Sequence, residues 1–198
     1  MTNIQIAICG FLRTGKDTVG EYIEKNYGGY LFAFGDALKD DFHREYSHIP
    51  RHPKPRKGYQ LHGQLKRYVH GEDYWLNKCL TSINMTRLEA EGWLTTYKVP
   101  ANFIPVITDV RQPNEVQRCK DDGFILLRTR AAVDTMVRRA EEAGDLFDIE
   151  DLQHETERGA NNYVVDYEIE NNGTLEELYA RIDVIMTKLG VEKSVDRF

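Results

Sequence analysis

Residues 8–23 read ICGFLRTGKDTVGEYI, in which Gly10 is followed, after four residues, by Gly15-Lys16. That is the glycine spacing of a phosphate-binding loop, and it lies in the required setting: the apolar run IQIAIC precedes it and an amphipathic segment follows. Glycines let the backbone of such a loop approach phosphate, and the N–H groups at the following helix start point at the anion. Gly10, Leu12, Arg13, Thr14, Gly15, Lys16, Asp17 and Thr18 are therefore the expected ATP-binding residues, with Lys16 against the β and γ oxygens. Asp17 stands where the motif calls for Ser or Thr. Two residues thus compete for Mg²⁺, Asp17 as a hard carboxylate and Thr18 as a displaced hydroxyl.

A second segment, PVITDVRQPNE, ends an apolar run on Asp109 and Arg111. A carboxylate at the C-terminal edge of a parallel sheet lies where open α/β folds bind ligands, and it can hold Mg²⁺ or its water. Arg111 can fork onto a phosphate. Transfer of a phosphoryl group between two anions asks mainly for charge neutralisation and in-line alignment. When the acceptor is itself a phosphate, whose second pKa is about 6, no strong general base is needed. The six histidines, at 43, 48, 52, 62, 70 and 154, show no ligand spacing. A switch GTPase also needs Asn-Lys-x-Asp, and the one Asn-Lys pair is followed by Cys79-Leu80, which disfavours that class.

These residues need a scaffold. Apolar runs alternate with amphipathic segments, the pattern of a parallel sheet covered by helices. Strands are expected at Ile4–Cys9, Tyr30–Phe34, Phe103–Thr108, Phe124–Arg128 and Val164–Ile169. Helices are expected to open at Gly15 or Lys16, after an Asp36 cap, after an Asp73 cap, at Pro113, and after Thr174, which has Glu177 three residues on. Residues 128–159 are long, charged and strandless, and read as a helical excursion or lid. Arg128, Arg130, Arg138 and Arg139 can each reach a transferring phosphate from there, with Arg130 taken as the catalytic one, or pair with Glu141, Glu142 and Asp145.

The net charge of −6 argues against a general nucleic-acid binder. Residues 51–71 nevertheless carry six Lys or Arg and no acid, a local field suited to a small anion or a solvated loop. With 198 residues, 41% hydrophobic and 29% charged, the chain suits one globular α/β domain without a membrane span. Three scattered cysteines and a start without signal-peptide character suggest a reducing cytoplasm.

Several segments, GFLRTGKDTVGEYI, FAFGDALKDDF, GYQLHGQLKRYVHGEDYW, ITDVRQPNEVQRCKDDGFILLR, QHETERG and IENNGTLEELYARI, occur in the order and spacing of the phage-type deoxynucleoside monophosphate kinases, and over most of its length the chain resembles that family. The resemblance makes Gly-Lys-Asp-Thr a family variant of the loop. It implies a P-loop NTPase fold with a five-stranded parallel sheet flanked by helices, a helical substrate-binding insertion at 36–95 and a lid at about 129–160, within a single domain over 1–198. ATP, Mg²⁺ and a deoxynucleoside monophosphate are the implied ligands. Lys39, Arg56, Lys57 and Gln60 match the monophosphate pocket, Gln112 and Glu115 match substrate contacts, and Asn172, in the turn 171–173, is placed beside adenine. Trp75 matches a substrate-side aromatic or is core. His154 to Glu157 match a motif after the lid. Other readings are a small P-loop kinase of the dephospho-coenzyme A or phosphomevalonate type, or an ATP-binding module without turnover. A homodimer is left open.

Overall fold

The computed structural model describes residues 4–97, 103–144 and 163–194. The elements in chain order are β1 (Ile6–Gly10), α1 (Lys16–Tyr27), β2 (Gly29–Phe32), α2 (Phe34–Glu45), α3 (Arg56–His70), α4 (Tyr74–Tyr97), β3 (Ile104–Val110), α5 (Pro113–Asp121), β4 (Ile125–Arg130), α6 (Val133–Glu142), β5 (Tyr167–Glu170) and α7 (Leu175–Lys188). The five strands form one parallel sheet in the order β2-β3-β1-β4-β5. No helix among the described residues is long and apolar enough to cross a membrane.

By contacts the chain divides into two compact units, Met1–Leu31 with Asn102–Phe198, and Phe32–Ala101. In the first, β1 is the central strand and Ile6, Ala7, Ile8 and Cys9 are wholly buried. A strand covered on both faces has no use for alternation, which is why it reads as a continuous apolar run. Val19 and Ile23 of α1, and Leu178, Ile182 and Met186 of α7, close over it. The register aligns Cys9 with Val110 on one side and Gly10 with Thr129 on the other. The C-terminal ends of β1, β3 and β4 therefore lie side by side. The chain leaves β1 toward β2 on one side, while β4 leads to β5 on the other, which is the topology that opens a crevice at those ends.

Helix starts follow local chemistry where it is strong. Pro113 occupies the first turn of α5, and Thr174 Oγ1 accepts the Glu177 N–H at 3.3 Å while the Glu177 carboxylate accepts the Thr174 N–H at 3.2 Å. Asp73 stands directly before α4, its carbonyl accepting from Asn77 at 2.8 Å. Asp36 is a correction. The cap of α2 is Ala33, whose carbonyl accepts the Asp36 N–H, and the Asp36 side chain instead takes Lys39 at 2.8 Å.

The second unit, whose residues 36–95 are expected to be helical, holds a helix that no cap or apolar stripe marks in the sequence, α3. Its packed side carries small residues: a Cβ on Gly58 would lie 2.7 Å from the Phe42 ring, and one on Gly63 2.7 Å from Leu38. Its apolar side chains, Leu61, Leu65, Tyr68 and Val69, are exposed. In this unit His62 Nε2 meets Asp41 at 3.0 Å, and the Lys66 ammonium lies 3.3 Å from Asp41 and 3.2 Å from Glu45. Burial pushes the Asp41 carboxyl up, but His62, Lys66 and Arg44 outweigh it and hold it below its ordinary value.

Candidate active site

The loop between β1 and α1 is built around two positive-φ glycines. Gly10 has φ 145°, and a Cβ there would come within 2.5 Å of the Thr129 carbonyl on the adjacent strand. Gly15, φ 94°, caps α1, and a Cβ there would collide with the Asn171 amide. Arg13 is the one non-glycine at positive φ among the described residues, at 61°. Such a backbone persists only when its surroundings hold it.

Those surroundings are specific. Thr14 Oγ1 donates to the Phe11 carbonyl at 2.8 Å and shares a 2.7 Å hydrogen bond with Thr129 Oγ1. Asn171 Nδ2 donates to the Thr14 carbonyl at 2.9 Å. Lys16 is 8% exposed, and its ammonium donates to the carbonyls of Gly10 and Phe11, at 2.9 and 2.7 Å. The lysine is thus curled over its own loop, its charge beside the N-terminal end of α1, where backbone N–H groups favour an anion. Asp17 is exposed and Thr18 half-buried, both on that turn.

Beside the loop, half-buried Asp109 is the penultimate residue of β3, and the chain turns at exposed Arg111. The turn is fixed by the buried Glu115, whose Oε2 accepts the N–H groups of Arg111 and Gln112 at 2.8 and 2.9 Å. Tyr163 OH donates to the Arg111 carbonyl at 3.1 Å. Arg111 is therefore held at both backbone ends while its side chain faces outward. Glu115, matched to a substrate contact by resemblance, has its carboxylate engaged in shaping this turn.

The four arginines separate clearly. Arg128 is buried, 2.9 Å from Glu168, and also donates to the Tyr163 carbonyl. Arg130 is 45% exposed and shares Glu168 at 3.2 Å. Arg138 is exposed and lies 3.9 Å from Glu142. Arg139 is half-buried and, among the described residues, donates to neutral oxygens, Asn171 Oδ1 at 3.1 Å and the Arg13 carbonyl at 3.4 Å. Burial pushes its pKa down, as does neighbouring Arg138. Burial likewise pushes the Cys9 thiol up, against the pull of Arg128 and Lys16.

In the turn after β5 it is Asn171, 5% exposed, that joins the loop. Asn172 is exposed, and its Oδ1 accepts the Ala132 N–H at 2.6 Å. The two-residue period of a strand would have found this: Ile169 is buried, so Asn171 shares its side and Asn172 does not.

In the second unit, Lys39 is paired with Asp36, while Arg56, Lys57 and Gln60 are exposed on the first turns of α3. Trp75 is 3% exposed, donates to the Gly63 carbonyl at 3.2 Å and lies against His62. That is a core placement rather than a face open to a base. The expected lid lies partly outside the described residues, as does the whole His154–Glu157 motif; its described part is the end of β4 and α6.

Mg²⁺ takes oxygen donors, commonly one or two protein groups completed by substrate phosphates and water. Thr18, Asp17 and Asp109 are donors of that kind at this edge of the sheet, so the residues fit the ion. The one cluster of three metal-capable groups among the described residues, Asp41, Glu45 and His62, lies in the second unit and already holds Lys66.

No known protein family and no curated protein matches the chain by sequence. Solved structures match it by fold. The tunicamycin resistance protein of Deinococcus radiodurans is similar with a TM-score of 0.58 at 12% identity, over 98% of this chain and 99% of that one. Shikimate kinase from Aquifex aeolicus is similar at 0.53 and 14%, over 94% and 98%. Shikimate kinase from Acinetobacter baumannii, in complex with shikimate, is similar at 0.52 and 14%, over 96% and 94%. What these likenesses show is the fold, a five-stranded parallel sheet flanked by helices.

Proposed function

We propose that the chain transfers the γ-phosphoryl group of ATP, with Mg²⁺, to the 5′-phosphate of a deoxynucleoside monophosphate, yielding a diphosphate. The observation that carries the reading is the loop itself: buried Lys16, Gly10 and Gly15 forced by close neighbours, and Asp109 and Arg111 on the adjoining strand end. In the reaction the bond from the γ-phosphorus to the bridging oxygen breaks, and its electron pair leaves with ADP. An acceptor phosphate oxygen forms the new bond. Lys16 and the first turn of α1 hold the β and γ oxygens, and Arg111, on its fixed backbone, takes phosphate by a forked contact. Thr18, Asp17 and Asp109 would hold Mg²⁺, which would supply neutralisation of the charge that develops on the phosphates.

The choice of acceptor rests on the sequence resemblance. Lys39, Arg56 and Lys57 are the cations it assigns to the monophosphate, and Gln60 to a base edge. The single-domain reading, with 36–95 as an insertion, belongs to the same proposal, as does a cytoplasmic setting. A coupled ADP-release assay with dAMP, dCMP, dGMP, dTMP and their ribose counterparts, alongside Lys16→Ala, tests it. Turnover with a deoxynucleotide, lost in the variant, is the expected result. ATP binding with no turnover on any of them refutes the acceptor and directs the panel to shikimate, gluconate, dephospho-coenzyme A and phosphomevalonate.

A further inference from the structure

We propose that Arg139 is the arginine this chain brings to the phosphates of ATP, and that Asn171 is the positioning residue that holds it against the phosphate-binding loop. The inference rests on the reading of the loop as an ATP site and names which side chain completes it.

The four arginines differ in the partners they already have. Arg128 and Arg130 share the Glu168 carboxylate, and Arg138 faces Glu142 along its own helix. An arginine that turns to a new anion must first give up its carboxylate. Among the described residues Arg139 is in no ion pair, Glu142 acting on it only through the longer-range field. Its guanidinium is drawn partly out of water onto two neutral acceptors, the Arg13 carbonyl and the Asn171 amide oxygen. A partly desolvated cation with only neutral partners gains more from an arriving anion than a paired one does. The carbonyl it touches belongs to the residue at positive φ inside the loop, so the guanidinium already lies at the loop's edge.

Asn171 makes this placement definite. Its Nδ2 donates to the Thr14 carbonyl, and its Oδ1 accepts from Arg139 Nη2. A reversed amide would face a carbonyl with an oxygen and an N–H with an N–H, so both contacts together fix its orientation. The residue's own backbone N–H donates to the Arg130 carbonyl at 2.7 Å, anchoring it to the end of β4. One buried amide therefore spans the loop, β4 and α6. Gly15 is where it must pass, since a side chain there would occupy the same space. Asn171 touches no phosphate in this scheme. It acts through Arg139, and its bond to the loop carbonyl serves to fix the amide that holds the guanidinium.

The test measures binding of ATP·Mg²⁺ and ADP·Mg²⁺ by calorimetry, and kcat with the best acceptor, for wild type, Arg139→Ala, Asn171→Ala and the double variant. Arginines that reach a transferring phosphate are worth several orders of magnitude in kcat, so Arg139→Ala is expected to lower kcat by at least ~100-fold and to weaken ATP about tenfold more than ADP. Asn171→Ala is expected to lower kcat about tenfold alone and less than about twofold in the Arg139→Ala background, the pattern of a residue acting through another. Arg139→Lys, which keeps the charge without the fork, is expected to retain part of the ATP preference and serves if the alanine variant fails to fold. An unchanged ATP-to-ADP preference in Arg139→Ala overturns the inference. So does a loss that falls on Arg130→Ala or Arg138→Ala instead, or an Asn171→Ala effect that is the same with and without Arg139. If wild type binds ATP and phosphorylates no nucleotide, the acceptor reading fails, while the ATP-to-ADP preference still decides the role of Arg139.

Discussion

Replacing Gly15 by alanine should cost stability for two separable reasons, and a second substitution tells them apart. Gly15 has φ 94°, a conformation that costs a residue with a Cβ about 1–2 kcal/mol. The added methyl also meets the Asn171 amide and drives it off, so the bonds from Asn171 to Thr14 and from Arg139 to Asn171 are lost. Leaving buried polar groups without partners costs about 1–3 kcal/mol. The entropy removed from the unfolded chain by Gly→Ala returns about 0.4–1 kcal/mol. The net expectation is a loss of about 1–5 kcal/mol, from the sum of those ranges. Asn171→Ala alone forfeits the same hydrogen bonds, about 1–3 kcal/mol. In the double variant the obstruction is gone and those bonds are lost once instead of twice. The two losses should therefore fall short of additivity by about 1–3 kcal/mol. Urea denaturation of the four proteins, without nucleotide, measures this directly. Additivity within about 0.5 kcal/mol would refute the close approach of Asn171 as the reason for glycine at this position.

Two further outcomes follow from the same geometry. Glu115→Ala should lower stability by about 2–4 kcal/mol in urea denaturation, because two N–H groups at the Arg111 turn lose a charged acceptor, while Glu115→Gln, which keeps an oxygen there, should cost less; equal effects would count against the carboxylate's role. Asp183 receives Tyr22 and Tyr27 hydroxyls at 2.9 and 2.6 Å and Lys193 at 2.7 Å; burial pushes its carboxyl up, but these partners outweigh it and hold it below 3.8. Its stabilisation is thus present above that value and lost as pH falls through the lower folded one, whereas Tyr27, raised from 10.0 by burial and by Asp183, contributes below pH 10 and loses that as pH rises toward its folded value. Denaturation across pH should show both limbs flattened in Asp183→Asn, and unchanged slopes would contradict the cluster.

The sheet was legible because a strand buried on both faces writes itself as an apolar run, as Ile6 to Cys9 do. The loop was legible because its glycines and lysine are fixed by chemistry at fixed spacing. Helix α3 was not, because its pattern is inverted: Gly58 and Gly63 face the packed side, while Leu61, Leu65 and Tyr68 face water. Periodicity assumes that large apolar residues mark the buried face, and here small ones do. Trp75 could be read as core or as a stacking face from its helical stripe, and only its burial and its bond to Gly63 place it. The arginines were indistinguishable by spacing, since what separates them is a glutamate on a neighbouring strand and an asparagine on a distant turn.

The claim that ties these observations together is transfer of phosphate to phosphate. Phosphorus NMR of ATP, Mg²⁺, a deoxynucleoside monophosphate and the protein follows both products at once. The account expects the β-phosphate signal of a deoxynucleoside diphosphate to grow in step with ADP, and to be absent with Lys16→Ala. ADP accompanied by inorganic phosphate alone would contradict it.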